Sequence, residues 1–299
     1  MRIIQSFWSK PLRVSEDPSR AAKMNFGWPV RKYNYFSLAL SCLQLASYYP
    51  DLELVTDDFG ENLLIHKLQL PYKSVRSELN KLDDYHSGLW ALGKIYSYSI
   101  QDGPFLHVDS DLFIFREFDR NIGSARLVAQ NKETGILEYT NAFRQVCRDF
   151  SYIPDVFRAS MNAPVLSCCN AGIMGGTDIG FFKDFASEVF AFLDRSPELV
   201  DSRLARYDPG NFNIVIEQML FFLLAENKGI PIEYLFPGVS AIPPYLGHFH
   251  SVERNRGVVH ALSHYKREEV VFRLVERNLE VKYPEFHRRI LHLMETCQI

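Results

Sequence analysis

No stretch of this sequence is apolar for long enough to cross a bilayer. The longest such run, Met219–Ala225, falls far short of the ~20 residues a spanning helix needs. Near the amino terminus, Gln5, Ser6, Ser9 and Lys10 interrupt the apolar residues, so no secretory signal core is read there and a cytoplasmic location is expected. An excess of basic charge is also missing. The formal net charge is −3 with no polybasic cluster, which argues against a nucleic-acid partner and an electrostatic membrane anchor. Cysteine is sparse. Cys42, Cys147, Cys168, Cys169 and Cys297 make an odd count without metal-ligand spacing, so free buried thiols are expected, with Cys168 and Cys169 on opposite faces of one strand. Repeats and low-complexity tracts are absent. What is present is a hydrophobic fraction of 47% and an aromatic fraction of 14% in 299 residues, enough for one large packed domain or a domain with a small appendage.

Apolar periodicity reads as strand–helix alternation. Residues 2–7 form a predicted strand. Phe36, Ala39, Leu40, Leu43 and Ala46 recur at helical spacing up to Pro50, and Leu52–Thr56 reads as a second strand closed by Asp57-Asp58-Phe59-Gly60. Leu89, Leu92, Tyr96 and Ile100 mark a helix ended by the Asp102-Gly103-Pro104 turn, and residues 126–130 read as another strand. Residues 131–165 lack a strand pattern and read as a helical insertion over the sheet. Phe182, Phe185, Val189 and Phe192 define a helix capped by Thr177 or Asp178, and 267–298 read as two amphipathic helices broken near Pro284. Such alternation implies an α/β fold with a mainly parallel sheet, whose ligands bind at the carboxyl ends of the strands. The main domain is placed at 1–266, with 267–299 as a helical appendage packed on it.

The most informative segment is Pro104-Phe105-Leu106-His107-Val108-Asp109-Ser110-Asp111-Leu112-Phe113-Ile114-Phe115. It reads as a strand buried on both faces, interrupted by two carboxylates one residue apart. Unpaired carboxylates inside a core are costly, so Asp109 and Asp111 belong where the strand emerges, facing a cation. Carboxylate oxygens combined with substrate phosphates suit Mg²⁺ or Mn²⁺. His107, on the same side as Asp109, reads as a packed histidine. Three further segments follow: Leu166-Ser167-Cys168-Cys169-Asn170-Ala171-Gly172-Ile173-Met174-Gly175-Gly176; Glu217-Gln218 within the apolar helical run 214–224; and His260-Ala261-Leu262-Ser263-His264-Tyr265-Lys266.

In this order the four segments resemble nucleotide-sugar-dependent glycosyltransferases of the GT-A fold, and family 8 in particular. They match an Asp-x-Asp motif, an Asn-Ala-Gly strand, an Asp-Gln pair written here as Glu217-Gln218, and a closing His-x-x-Gly-x-x-Lys with Ser263 in place of the Gly. The resemblance covers roughly residues 86–266. The opening strand ends without the acidic residue usual in that family, and Arg267-Glu268 stands where Pro-Trp often follows the Lys. These departures suggest a bacterial branch related by fold more than by close descent. The resemblance implies a GT-A-like three-layer sandwich with a mainly parallel central sheet, a Rossmann-like nucleotide-binding half and C-terminal helices. It also implies a hexosyltransferase that moves a sugar from a nucleoside-diphosphate sugar, UDP-hexose, to a glycan, lipid-linked or protein acceptor, with retention of configuration.

Site roles follow from the same resemblance. Asp111 is the main metal carboxylate, and Asp109 reaches either the donor ribose or the metal's second oxygen position. His260 adds a nitrogen ligand, which favours Mn²⁺ over Mg²⁺; His264 is the competing ligand. Lys266 supplies a point charge to the leaving diphosphate. Asn170 holds the donor sugar through its amide. Gln218 lies near the anomeric carbon, and Glu217 either binds sugar hydroxyls or acts as nucleophile. Trp8 either stacks the base or is a core aromatic. Lys94 either pairs with the diphosphate or a motif carboxylate, or lies on a solvated helix face. The 131–165 insertion and the Pro243-to-His250 loop are the acceptor-side candidates. Two other classes stand beside this reading: a nucleotidyltransferase, whose Gly-rich basic N-terminal loop is missing here, and a non-catalytic sugar- or nucleotide-binding protein with a degenerate site. A haloacid-dehalogenase phosphatase fits poorly, because its Asp-x-Asp stands near the N-terminus.

Overall fold

The computed structural model describes residues 1–13, 25–196, 208–238 and 244–299. Its main elements, in chain order, are β1 (Arg2–Phe7), α1 (Arg31–Tyr48), β2 (Leu52–Thr56), β3 (Ser74–Ser77), α2 (Leu92–Ser99), β4 (Phe105–Val108), β5 (Leu112–Ile114), β6 (Leu127–Thr134), α3 (Leu137–Asp149), α4 (Asp155–Ser160), β7 (Ser167–Gly176) and α5 (Ile179–Asp194). Then α6 (Pro209–Ile214) continues through a π-helical turn (Val215–Met219) into α7 (Leu220–Asn227), followed by β8 (Ile232–Tyr234), β9 (Val258–His260), α8 (Glu269–Lys282) and α9 (Pro284–Glu295). The fold is α/β with a seven-stranded, mainly parallel sheet: β1/β2, β2/β3 and β6/β8 pair in parallel, β6/β7 antiparallel. No described helix is long and apolar enough to cross a membrane. The five cysteines are free; burial pushes the Cys169 thiol up to about 12, so it is held as an unreactive thiol.

The chain divides into two compact units. One comprises residues 2–81, 108–117 and 243–299. Its strands run in the order β3-β2-β1, and β5 forms a separate two-stranded ribbon with β9. The run 104–115, read from sequence as one strand, is thus two. β4 ends at Val108, the Asp109-Ser110-Asp111 turn follows, and the apolar residues beyond it serve a different sheet. Every residue of α1 from Tyr33 to Leu45 is buried, so the polar ones among them need partners. Ser41 Oγ accepts from Gln5 Nε2 at 2.9 Å and donates to the Leu112 carbonyl at 2.7 Å, and Ser37 Oγ donates to the Ser110 carbonyl at 2.8 Å. One helix face therefore grips the carboxylate turn.

The C-terminal helices belong to this same unit and pack on α1. Val271, Val275 and Leu279 recur at helical spacing on the buried face of α8, and Pro284 sits in the first turn of α9, where its missing N–H costs nothing. The Tyr33 and Phe272 rings pack at a tilt of 39° with centroids 4.5 Å apart. Lys32 Nζ donates to Glu276 Oε1 at 3.0 Å and Tyr33 Oη to Oε2 at 3.3 Å. Burial alone would raise the Glu276 carboxyl, but Lys32, Tyr33 and Arg273 outweigh it and hold it below its ordinary 4.5. A carboxyl lowered on folding stabilises the native state above its unfolded value and loses that contribution as acid protonates it. Glu276→Gln should therefore cost about 1–2 kcal/mol at pH 7, and the difference from wild type should shrink as pH falls below 4.5. Urea unfolding at pH 7 and pH 3.5 measures this, and an unchanged difference at the lower pH would remove the ionic explanation.

The other unit comprises residues 82–107 and 118–242, with strand order β4-β7-β6-β8. Gly175 and Gly176 let β7 lie close to its neighbours, since a Cβ at Gly175 would collide with the Phe105 carbonyl and one at Gly176 with that of Arg126. Much of the aromatic content is core. Phe105, Phe182 and Phe221 interlock with Tyr98 at ring separations between 4.8 and 5.9 Å. The 131–165 stretch carries α3 and α4, the expected helices, while β6 runs on to Thr134. Asp178 caps α5, its side chain accepting from the Phe181 N–H at 3.1 Å.

Candidate active site

The carboxylate turn is completed by the β5/β9 ribbon. Leu112 stands opposite His260 in register, and the Ala261 N–H donates to the Asp111 carbonyl at 3.0 Å. This pairing, remote in sequence, brings the His260 imidazole to the motif. Ligand atoms of Asp109, Asp111 and His260 all lie within 4.8 Å of one another. Two carboxylate oxygens and one imidazole nitrogen are the donor set of a borderline divalent cation, and the residues fit one. His260 Nε2 is 3.3 Å from Asp111 Oδ1, and Lys266 Nζ is 2.5 Å from Asp111 Oδ2. Burial pulls the Asp111 carboxyl upward, but Lys266 and His260 outweigh it and hold the group well below the usual carboxylate range. His264 is exposed and leans on Tyr265 with ring centroids 4.2 Å apart; it is outside the cluster.

Ser263, which stands where the resembled motif has glycine, adopts φ 44°. That left-handed conformation is the one glycine takes without steric cost. It lies in the short turn between β9 and Lys266 that returns the lysine to Asp111. Trp8, just past the end of β1, is 4% exposed, so its ring face is not presented to solvent. His248 pairs with Glu268 at 3.0 Å and stacks on His250, and neither belongs to the metal-type cluster. Pro243, at the start of that candidate loop, lies outside the described residues.

The second unit holds a buried polar cluster of its own. Lys94, in α2, is 8% exposed rather than on a solvated face. Its ammonium is 2.9 Å from Glu217 Oε1 and donates to the Ala171 carbonyl at 3.1 Å. Glu217 is fully buried and also accepts from Tyr98 Oη at 3.1 Å. The π-helical turn Val215–Met219 shifts the register at which Glu217 and Gln218 leave the helix, an irregularity often found at functional positions. Gln218 Oε1 is buried with no partner among the described residues. Asn170 Nδ2 donates to Glu133 Oε1 at 3.0 Å, and its Oδ1 accepts from the Gly172 N–H at 3.0 Å.

Glu133 and Tyr98 were not singled out from the sequence. A signal for Glu133 existed: Gln130-Asn131-Lys132-Glu133 is a polar run on a strand that the fold buries. Antiparallel register sets Asn131 opposite Asn170 and Glu133 opposite Cys168, so Glu133 reaches Asn170 on the same face. Tyr98 carried no such signal, because a tyrosine on a helix facing phenylalanines reads as core.

Residues 1–293 match the family model DUF6734, described as a family of unknown function, and the chain belongs to that family. No curated protein matches the sequence. Among solved structures it is similar to the glycosyltransferase GlyE of Streptococcus pneumoniae TIGR4, with a TM-score of 0.44 and 10% identity over 99% of this chain; the chain spans 63% of GlyE. It is also similar to the galactosyltransferase LgtC, with a TM-score of 0.37 and 10% identity over 73% of this chain and 71% of that one. Mouse xyloside xylosyltransferase 1 gives a TM-score of 0.39 and 11% identity over 87% and 96% of the two chains.

Proposed function

We propose that this DUF6734 protein is a metal-dependent glycosyltransferase that moves a hexose from a nucleoside-diphosphate sugar, UDP-hexose, to a glycan, lipid-linked or protein acceptor. Transfer with retention and an intracellular donor pool are parts of the same proposal. The observation that carries it is the convergence of Asp109, Asp111 and His260, drawn from two distant motifs, within 4.8 Å. Those three side chains would hold Mn²⁺ or Mg²⁺, which when bound neutralises diphosphate charge as a Lewis acid. Lys266, already at Asp111, supplies a further positive charge to the departing diphosphate. The unpartnered Gln218 carbonyl oxygen is the group suited to developing positive charge at the anomeric carbon, because a neutral amide stabilises it without forming a stable ester. Asn170 would address sugar hydroxyls only by exchanging its bond to Glu133, and Trp8, 4% exposed, would meet the base only if its surroundings opened. Lys94 acts by holding the Glu217 carboxylate.

A second reading, donor binding without transfer, is favoured by one observation: both ends of the Asn170 amide are engaged within the protein. Gln218→Ala separates the two. For a transferase it should lower turnover by about 100-fold or more while nucleoside-diphosphate affinity stays within about threefold, the pattern of an interaction made in the transition state. Hydrolysis and transfer assays over a panel of nucleotide sugars, with diphosphate binding measured on the same variant, provide the test. Equal losses in both would end the assignment of Gln218. Wild-type binding without turnover of any donor would leave the binding-protein reading.

A further inference from the structure

We propose that Lys266 is a resident cation that latches the turn 25–28 over the carboxylate site, and that a divalent cation binding there displaces Lys266 and frees the turn. The inference rests on the metal reading above and adds to it a mechanism of access.

The latch is visible in the contacts of one ammonium group. Lys266 Nζ lies 2.5 Å from Asp111 Oδ2, donates to the Phe26 carbonyl at 2.8 Å, and sits 5.8 Å from the centroid of the Trp28 ring. Its aliphatic stem passes close to Gly27, where a Cβ would stand 3.3 Å from Lys266 Cδ. The turn it holds is strained. Phe26 (φ 50°) and Gly27 (φ 84°) are successive left-handed residues, closed by the Trp28 N–H donating to the Asn25 carbonyl at 3.0 Å. A phenylalanine in that region persists only where its surroundings hold it.

Phe26 also packs against Phe7, the last residue of β1, with ring centroids 6.2 Å apart, so the turn is seated on the strand end as well as on Lys266.

Asp111 cannot serve both cations. A divalent ion held by Asp109, Asp111 and His260 would repel an ammonium already in contact with one of those carboxylates, at a separation where charges interact strongly. Losing Asp111, Lys266 loses the anchor that fixes it on the Phe26 carbonyl, and the strained turn relaxes. Cation binding would then precede movement of the turn, and the latch would weaken apparent cation affinity by the fraction of molecules it holds closed.

Hydrogen exchange at residues 26–28, with Mn²⁺ alone as probe, tests this in the wild-type protein. Exchange should quicken by about tenfold when Mn²⁺ is bound. In Lys266→Gln the same amides should exchange fast without Mn²⁺, and calorimetry should show Mn²⁺ bound about tenfold more tightly than by wild type. Mn²⁺ binding with unchanged or slower exchange in wild type overturns the latch and leaves the metal site standing. Weaker Mn²⁺ binding by a folded Lys266→Gln protein overturns it too, since Lys266 would then support the cation rather than compete. Absence of any Mn²⁺ binding to wild type removes the metal site and the latch together.

Discussion

Asp111→Asn should abolish metal-dependent binding of a nucleoside diphosphate. Loss of an outer partner of a metal ligand already costs 10–100-fold in affinity, so removing a ligand charge should cost at least about 100-fold. In thermal-shift measurements with UDP and Mn²⁺, the wild-type protein should be stabilised and the variant should not. The substitution also disturbs the metal-free protein. Asp111 accepts from Lys266 and lies against His260, and a neutral amide in its place offers the buried ammonium no charge. A loss of about 1–3 kcal/mol in folding stability is expected from that mismatch. Binding that survives in Asp111→Asn, or that is equally strong for wild type in a chelator, would show that the cluster does not hold the cation.

Glu217→Gln should be the most destabilising single change in the second unit. The Glu217 carboxylate is fully buried and pairs with Lys94, itself 8% exposed. Removing one partner of a buried ion pair strands the other charge and typically costs about 3–5 kcal/mol. Replacing both by apolar residues of similar size avoids the stranded charge, so Lys94→Met with Glu217→Leu should recover most of the loss. Urea unfolding of Lys94→Met, of Glu217→Leu and of the double variant gives the coupling directly. Near-additive effects would mean that the pair contributes little and that Glu217 is held chiefly by Tyr98. The geometry also makes Glu217 a poor nucleophile in this conformation, because its charge is already committed to an ammonium within the core.

The two clusters differ in how they were legible. Asp109 and Asp111 announce themselves because charge inside an apolar run is expensive, and His260 and Lys266 were picked out only by resemblance to a His-x-x-Gly-x-x-Lys motif. Even Ser263 was visible as an irregular choice, and its left-handed φ gives the reason glycine is expected there. The partners of Asn170 and Lys94 were not legible. Asn170 meets Glu133 through the antiparallel register of β6 and β7, and Lys94 meets Glu217 through the packing of a helix against a π-helical turn. Neither pairing leaves a trace in local periodicity.

The sequence by itself determined the strand–helix alternation and hence the α/β class, because the periods of 2 and 3.6 residues are properties of local backbone geometry. It also determined which residues could form a cation site, since their chemistry is carried by residue type. Only the tertiary structure decided that the 104–115 run breaks into strands of two different sheets, that β9 brings His260 rather than His264 to Asp111, and that Lys266 rests on that carboxylate. Those outcomes depend on which remote elements pair. A buried charge takes whatever partner the packing brings within a few ångströms, and sequence spacing does not encode that distance.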